Sequence, residues 1–203
     1  ERANESRREM EAVNVKLLKQ SETDQMTGLA NRYRLNAYSE KVLDYCYEHR
    51  LPLAMEILDI DFFKQYNDNY GHQQGDECII AIADELKKME DGQTFCARYG
   101  GDEFIIIYAG ISVEEVHAKA GALRQNIMNL KLEHLYSKAL PIVTISQGIS
   151  YGVPEEGNRS WDFLHTADML LYQVKKRSRN DICIADIRGQ ELDLSSKQEK
   201  VEP

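Results

Sequence analysis

Apolar residues recur along the chain at helical and strand spacings, and their order outlines a fold. Leu35, Tyr38, Val42 and Cys46 share one face of a helix expected from about Tyr33 to Glu48. Leu51-Pro52 ends it, and Leu53 to Leu58 reads as an apolar strand finishing at Asp59. Gly71 and Gly75 punctuate the loop expected next, after which Ile79, Ile82, Leu86 and Met89 mark a second amphipathic helix. Phe95 to Tyr99 and Phe104 to Tyr108 read as strands joined at Gly100-Gly101-Asp102-Glu103, where two glycines permit the positive φ of a tight hairpin. Val116, Ala120, Leu123, Ile127 and Leu130 line a third helix. Ile142 to Tyr151 is a further strand, with Thr144 and Ser146 alternating against Val143 and Ile145. Leu164, Ala167, Leu171 and Val174 face inward from a fourth helix, and Ile182 to Ala185 closes the sheet as a short edge strand.

The central hairpin makes the sheet mostly antiparallel or mixed, so the class is α+β rather than a doubly wound parallel sheet. At the start of the chain Met10, Val13 and Leu17 are spaced by three and four, the seam of a helix that pairs with another, although a solvated helical linker fits the polar composition equally. Residues 1–22 are therefore assigned to an N-terminal linker helix, 23–187 to the globular domain and 188–203 to a disordered polar tail. Glu1 rather than Met opens the chain, as expected of a piece of a longer protein.

Composition narrows the function. The chain has 203 residues, 42% of them hydrophobic and 29% charged, ordinary proportions for a soluble domain. No apolar run reaches the ~18 residues of a membrane span, and no signal-peptide pattern appears. A net charge of −9 argues against a nucleic-acid surface, which needs clustered Lys and Arg. Cys46, Cys78, Cys96 and Cys183 form no Cys-x-x-Cys pair, and read as small buried residues in a reducing compartment. The expected location is cytoplasmic, with no membrane contact from this segment.

Two acidic pairs carry the clearest chemistry. Asp59 and Asp61 follow an apolar strand, and Asp102 and Glu103 sit on the glycine turn. Were those strands neighbours, up to four carboxylates would gather at one sheet end, a costly arrangement without a cation. Mg²⁺ suits such oxygens and commonly shares phosphate oxygens. The plainer reading is that each acid only ends a strand or turn. The stretch from Asp61 to Asp76 is dense in hydrogen-bonding side chains. A carboxylate such as Asp76 accepts from both guanine N1–H and N2–H₂, and an amide such as Asn67 supplies a donor and an acceptor. Asn67-Asp68-Asn69 also fits a polar turn, Asp76 a helix N-terminal acid, and Lys64 a solvated lysine. No P-loop and no Rossmann glycine fingerprint is present. His49, His117, His134 and His165 lack any motif.

Arg98-Tyr99-Gly100-Gly101-Asp102-Glu103-Phe104 resembles the signature turn of GGDEF domains, the diguanylate cyclases. Asp24-Gln25-Met26-Thr27-Gly28-Leu29-Ala30-Asn31-Arg32 resembles the family's opening motif, and Asp59-Ile60-Asp61 through Gly75-Asp76 its nucleotide-binding segment. Ala167-Asp168, Leu171-Tyr172, Lys175 and Arg179-Asn180 resemble its last helix. The likeness runs over roughly residues 24 to 185. It implies a palm-like, nucleotidyl-cyclase-like α+β domain that works as a homodimer, each copy holding one GTP, behind an upstream sensor domain. By position, the resemblance assigns Mg²⁺, with Mn²⁺ as a substitute, to Asp59, the backbone carbonyl of Ile60, Asp102 and Glu103. Asp102 is also the implied base, and Lys64 the residue stabilising phosphate charge. Phe62 and Phe63 imply backbone contacts to phosphate; Asn67, His72 and Asp76 match nucleoside-binding positions, and Lys175 and Arg179 phosphate-binding ones.

Some positions depart from the family pattern. Met26 replaces a usual Leu, and Ser178 stands where Gly is frequent. Asp91-Gly92-Gln93-Thr94 occupies the place of the family's Arg-x-x-Asp product-inhibition site, so feedback through this turn is expected to be absent. The readings that compete with an active cyclase are a silent GTP-binding regulatory domain and a dimerisation module.

Overall fold

The computed structural model describes residues 22–190 and Leu192. The helix expected over 1–22 lies, save for Glu22, outside the described residues, as does the tail beyond Leu192. The elements in chain order are α1 (Arg32–His49), β1 (Leu53–Ile60), α2 (Phe63–Tyr70), α3 (His72–Met89), β2 (Thr94–Gly100), β3 (Glu103–Ala109), α4 (Val113–Asn129), β4 (Ile145–Gly152), α5 (Ser160–Arg177) and β5 (Ile182–Asp186). Local signals start two of the helices. Asn31 accepts from the Arg34 amide ahead of α1, and a Ser112–Glu115 capping box opens α4.

The sheet has five strands in the order β2-β3-β1-β4-β5, with β1 antiparallel to both neighbours and only β4–β5 parallel. The expected mostly antiparallel α+β architecture is thus the one found. Helices cover both faces, so β1 is buried throughout except for half-buried Ile57 and reads as a continuous apolar run. On one face Ala54, Leu58, Phe104 and Ile106 pack with Ile79, Ile82 and Leu86 of α3 and Val116 and Leu123 of α4. On the other, Leu53, Met55, Ile105 and Ile107 pack with Leu35, Val42 and Cys46 of α1 and Phe163 of α5. All four cysteines are free and buried. No helix among the described residues is long and apolar enough to cross a membrane.

The segment expected as a loop after β1 differs. Phe63, Tyr66 and Tyr70, spaced by three and four, bury one side of a short helix, α2. Gly71, at φ +87°, makes the break before α3, and Gly75 lies inside α3. Ile142 to Thr144 precede β4 rather than belonging to it. Of the two hairpin glycines only Gly101 has positive φ, at +55°, while Gly100 ends β2. The backbone beyond β5 turns back at residues 186–190, and Leu192 packs on the core, its amide donating to the Ile184 carbonyl.

Two features of the core set testable limits. Gly148 lets α5 approach β4 backbone to backbone: a Cβ there would stand 2.2 Å from the Ala167 carbonyl oxygen and 2.3 Å from the Leu171 nitrogen. Neither atom belongs to a flexible side chain, so α5 would have to move. Glu56 is fully buried mid-sheet, where Tyr108 Oη donates to it at 2.8 Å and Gln147 Nε2 at 2.7 Å. Burial pushes its carboxyl from 4.5 up to about 7, with those two hydrogen bonds pulling the other way.

Gly148→Ala is expected to destabilise the fold by about 3 kcal/mol in urea denaturation, because the clash is with helix backbone; a loss below about 0.5 kcal/mol would contradict this packing. For Glu56, the folded-state carboxyl holds its proton more tightly than the unfolded one. Its contribution to stability is full below pH 4.5 and is lost as pH rises through about 7. Relative to Glu56→Gln, the wild-type chain should therefore lose up to about 3 kcal/mol between pH 4.5 and pH 8. Urea midpoints across that range check it, and a pH-independent difference would refute it.

Candidate active site

The site forms where the end of β1, the β2–β3 turn and the end of α5 meet. The β1–β3 register sets Asp59 directly opposite Glu103, with Asp102 beside it on the turn. Asp59 is 8% exposed, and its carboxyl is pushed up from 3.8 to about 6, chiefly by burial and further by the charges of Asp102 and Glu103. Burial also raises Asp102 and Glu103, with Asp102 and Asp168 adding like charge at Glu103. Against these acids stands Lys175, whose Nζ lies 2.8 Å from Asp59 Oδ1 and lowers Asp59 in turn. Lys175 and Asp168 are seven residues apart, two turns, and both line a groove of about 570 Å³ with Glu103 and Tyr172.

Asp61, grouped with these acids on spacing alone, does not join them. It is fully buried and its oxygens accept from Ser146 Oγ (2.6 Å), Thr144 Oγ1 (2.8 Å) and the Asn180 amide (2.9 Å). Thr144 and Ser146 are accordingly buried despite their alternation, because they serve this carboxylate.

The other expected residues fall around α2 and α3. Ile60 ends β1, buried between the two aspartates. Phe62 precedes α2 at φ 56° and gives that helix no side-chain cap, leaving first-turn amides open to an anion. Phe63 is buried, and its ring lies within 3.3 Å of a Cβ built at Gly75. Asn67 Oδ1 is buried without a hydrogen-bond partner and would stand 1.8 Å from that same Cβ, so Gly75 is what admits the Asn67 side chain. Asp76, the next residue, is exposed on α3, and His72 is exposed at its start. Lys64 is exposed on α2 and paired with Asp68 at 2.6 Å. The Arg179 guanidinium stacks on the Phe62 ring, 4.3 Å from its centre. Ser178 has φ −134°, which any residue adopts, so the frequent glycine is not required there.

Several site residues escape a sequence reading. Arg98 donates twice to the Gly101 carbonyl (Nη2 at 2.8 Å, Nε at 3.1 Å) and through Nη1 to both Asp24 oxygens (3.2 and 3.4 Å), tying the acidic turn to the N-terminal loop. Asp24 also accepts from the Thr27 amide and hydroxyl. His134 is buried, with Nε2 3.1 Å from the Phe62 carbonyl, and burial lowers its pKa, so the neutral ring donates there. Asp91 accepts from Lys119 at 2.8 Å, which holds its carboxyl at about 2 and fastens the strand start to α4. That turn carries no guanidinium.

The donor set fits a hard divalent cation. Carboxylates from two strands and a turn are desolvated together, with the Lys175 ammonium and, at Asp102, the Arg98 guanidinium offsetting them only in part. Among the described residues no three His, Cys, Asp or Glu side chains enclose an ion unaided. Mg²⁺ rarely asks for that, since one or two carboxylates plus substrate phosphates usually complete its shell.

Comparison with known proteins agrees with this fold. The family model described as "Diguanylate cyclase, GGDEF domain" matches residues 21–181. The probable diguanylate cyclase DgcC of Escherichia coli is 34% identical over 163 residues, 79% of this chain and 42% of that protein. The response regulator PleD of Caulobacter vibrioides is 31% identical, over 79% of this chain and 35% of its own length. The chain spans less than half the length of these curated relatives. The crystal structure of the coiled coil and GGDEF domain of DgcB from Caulobacter crescentus, in complex with c-di-GMP, superposes with a TM-score of 0.74 at 28% identity, covering 91% of this chain and 97% of that one. The active GGEEF domain of a Vibrio cholerae diguanylate cyclase gives 0.65 at 31% identity, covering 77% and 97%. By fold and by sequence, this chain belongs to the GGDEF family of diguanylate cyclase domains.

Proposed function

We propose that this chain is an active diguanylate cyclase domain, condensing two GTP molecules into cyclic di-GMP with release of two pyrophosphates. The observation that carries the reading is the facing pair Asp59 and Glu103 with Asp102 beside them, desolvated and offset only in part by the Lys175 ammonium and the Arg98 guanidinium. The site needs added positive charge, and a nucleoside triphosphate carrying divalent cations supplies it. Asp59, the Ile60 carbonyl, Asp102 and Glu103 would hold Mg²⁺, or Mn²⁺ in its place. Bound there, the ion would neutralise phosphate charge and acidify the attacking hydroxyl.

The chain's own residues then divide the remaining work. Asn67 and Asp76 hold the guanine edge, Asp76 accepting from N1–H and N2–H₂, which adenine cannot match, and His72 borders the nucleoside. The open amides at the start of α2, around Phe62 and Phe63, with Lys64, Lys175 and Arg179, take the phosphates. Asp102 receives the proton of the 3′-hydroxyl as its oxygen bonds to the α-phosphorus of the other GTP and the bond to the β-phosphate breaks. Each domain holds one GTP, so two copies must meet face to face, and the rate per chain should rise with concentration. The longer protein is proposed to place a sensor domain upstream, and the reaction in the cytoplasm.

Incubation of the purified chain with GTP and Mg²⁺ should yield cyclic di-GMP and pyrophosphate in a 1:2 ratio, resolved by chromatography. Asp102→Asn should lower the rate at least about 100-fold with unchanged circular dichroism. Nucleotide binding by the wild-type chain without turnover would replace this reading with that of a silent GTP-binding domain. Gly75→Ala tests the nucleoside side separately. Its methyl group displaces Asn67, so KM for GTP should rise about tenfold with a much smaller change in kcat. An unchanged KM would remove Asn67 from the site.

A further inference from the structure

Three residues other than glycine hold left-handed backbone close to the proposed phosphate side of the site: Phe62 at φ 56°, Arg179 at φ 53° and Asn180 at φ 44°. Such conformations are unfavourable for residues with a β-carbon, least so for Asn, and persist only where the surroundings impose them. One carboxylate links all three. Asp61 immediately precedes Phe62, and its own amide donates to the Thr144 carbonyl at 2.9 Å. Its Oδ2 accepts the Asn180 amide, from the residue directly after Arg179, at 2.9 Å. Thr144 and Ser146 fix the carboxylate from β4 and the residue before it. The Phe62 and Arg179 side chains, one from each turn, then stack on each other.

We infer that Asp61 is a positioning residue for substrate phosphate: it locks the left-handed turn at Arg179-Asn180 against the turn at Phe62, and so aims the Arg179 guanidinium. The inference rests on the proposed reading of the site as a GTP site. Without the carboxylate, the Asn180 amide loses its acceptor and the turn relaxes towards the extended or right-handed regions. Arg179 then leaves Phe62, while Asn67 on α2 and Asp76 on α3, the residues proposed to hold guanine, keep their places. The loss should therefore fall on the triphosphate and spare the base.

The test is equilibrium binding of 2′-N-methylanthraniloyl-3′-deoxy-GTP and its monophosphate counterpart, which lack the attacking 3′-hydroxyl, to the whole chain with Mg²⁺, read by fluorescence. Asp61→Ala, which removes the acceptor outright, should weaken triphosphate binding about tenfold and monophosphate binding less than about twofold. Adding Asn180→Gly, which takes up the left-handed turn without strain, should restore most of the triphosphate affinity. Arg179→Ala should cost far less in the Asp61→Ala background than alone. Equal weakening of both nucleotides, or none, overturns the inference. Should Asp61→Ala fail to fold, Asn180→Ala and Asn180→Gly decide, since both keep the backbone amide that Asp61 accepts and leave Thr144 and Ser146 in place. The alanine variant should lose triphosphate affinity and the glycine variant keep it, and identical wild-type-like binding refutes the idea. A wild-type chain that binds neither nucleotide overturns the GTP reading itself; wild-type binding with insensitive variants overturns only the role of Asp61.

Discussion

The β1–β3 register forces carboxylates together at one end of the sheet, and the rest of the site is arranged around that constraint. Burial raises all three acids, and neighbouring carboxylates raise Asp59 and Glu103 further, because like charges in a partly dry site repel strongly. The acids do not hold the register in place. Paired rows of apolar side chains on both sheet faces do, Leu58 against Phe104 and Ile57 against Ile105, with β4 fixing the other edge of β1. A slip of one residue would turn every side chain of β1 to the opposite face and bury Asp59 among α3 and α4. Core packing thus maintains a charge arrangement that is locally unfavourable.

The second element of the site depends on a contact of another kind. Helix α5 carries Asp168 and Lys175, and its distance from the sheet is set by Gly148, where helix backbone rests on strand backbone. A side chain there would lift the helix, and with it the ammonium now 2.8 Å from Asp59. At the far end of α5 the chain leaves through two left-handed residues and returns as β5, passing Phe62 on the way. The strand end, the hairpin turn and the helix end therefore open at one edge, a crevice formed by connections on a rigid frame. Arg98 extends the same frame to the N-terminal loop through Asp24.

Much of this was legible in the sequence where the periodicity was strong. Helices α1, α3, α4 and α5 and all five strands follow from apolar spacing, and the turn at Gly101 from its glycines. Helix α2 was not legible as a helix, because Asn67-Asp68-Asn69 and Gly71 have the composition of a turn, and only tertiary burial of Phe63 and Tyr66 makes it helical. Gly75 and Gly148 are small because of what lies across from them, and no local pattern reports that. The Arg98–Asp24 contact joins residues 74 apart in sequence. Asp61 was misgrouped with Asp59 for a physical reason. Residues two apart share a face only while the strand lasts, and β1 ends at Ile60.

Asp59 and Asp61 are the same residue type at the same strand end, and what separates them is how fully each is satisfied. Asp61 has three donors on its two oxygens, one from backbone and two from hydroxyls, in a fully buried shell with nothing left to offer a ligand. Asp24 and Glu56 are likewise held, by Thr27 and Arg98 and by Tyr108 and Gln147. Asp59 has one ammonium and two like charges for company. A folded chain normally pairs its buried polar groups. Carboxylates kept short of donors and gathered from separate elements are what the proposed cation would complete, and in this chain they lie at the end of the sheet where Lys175 meets Asp59.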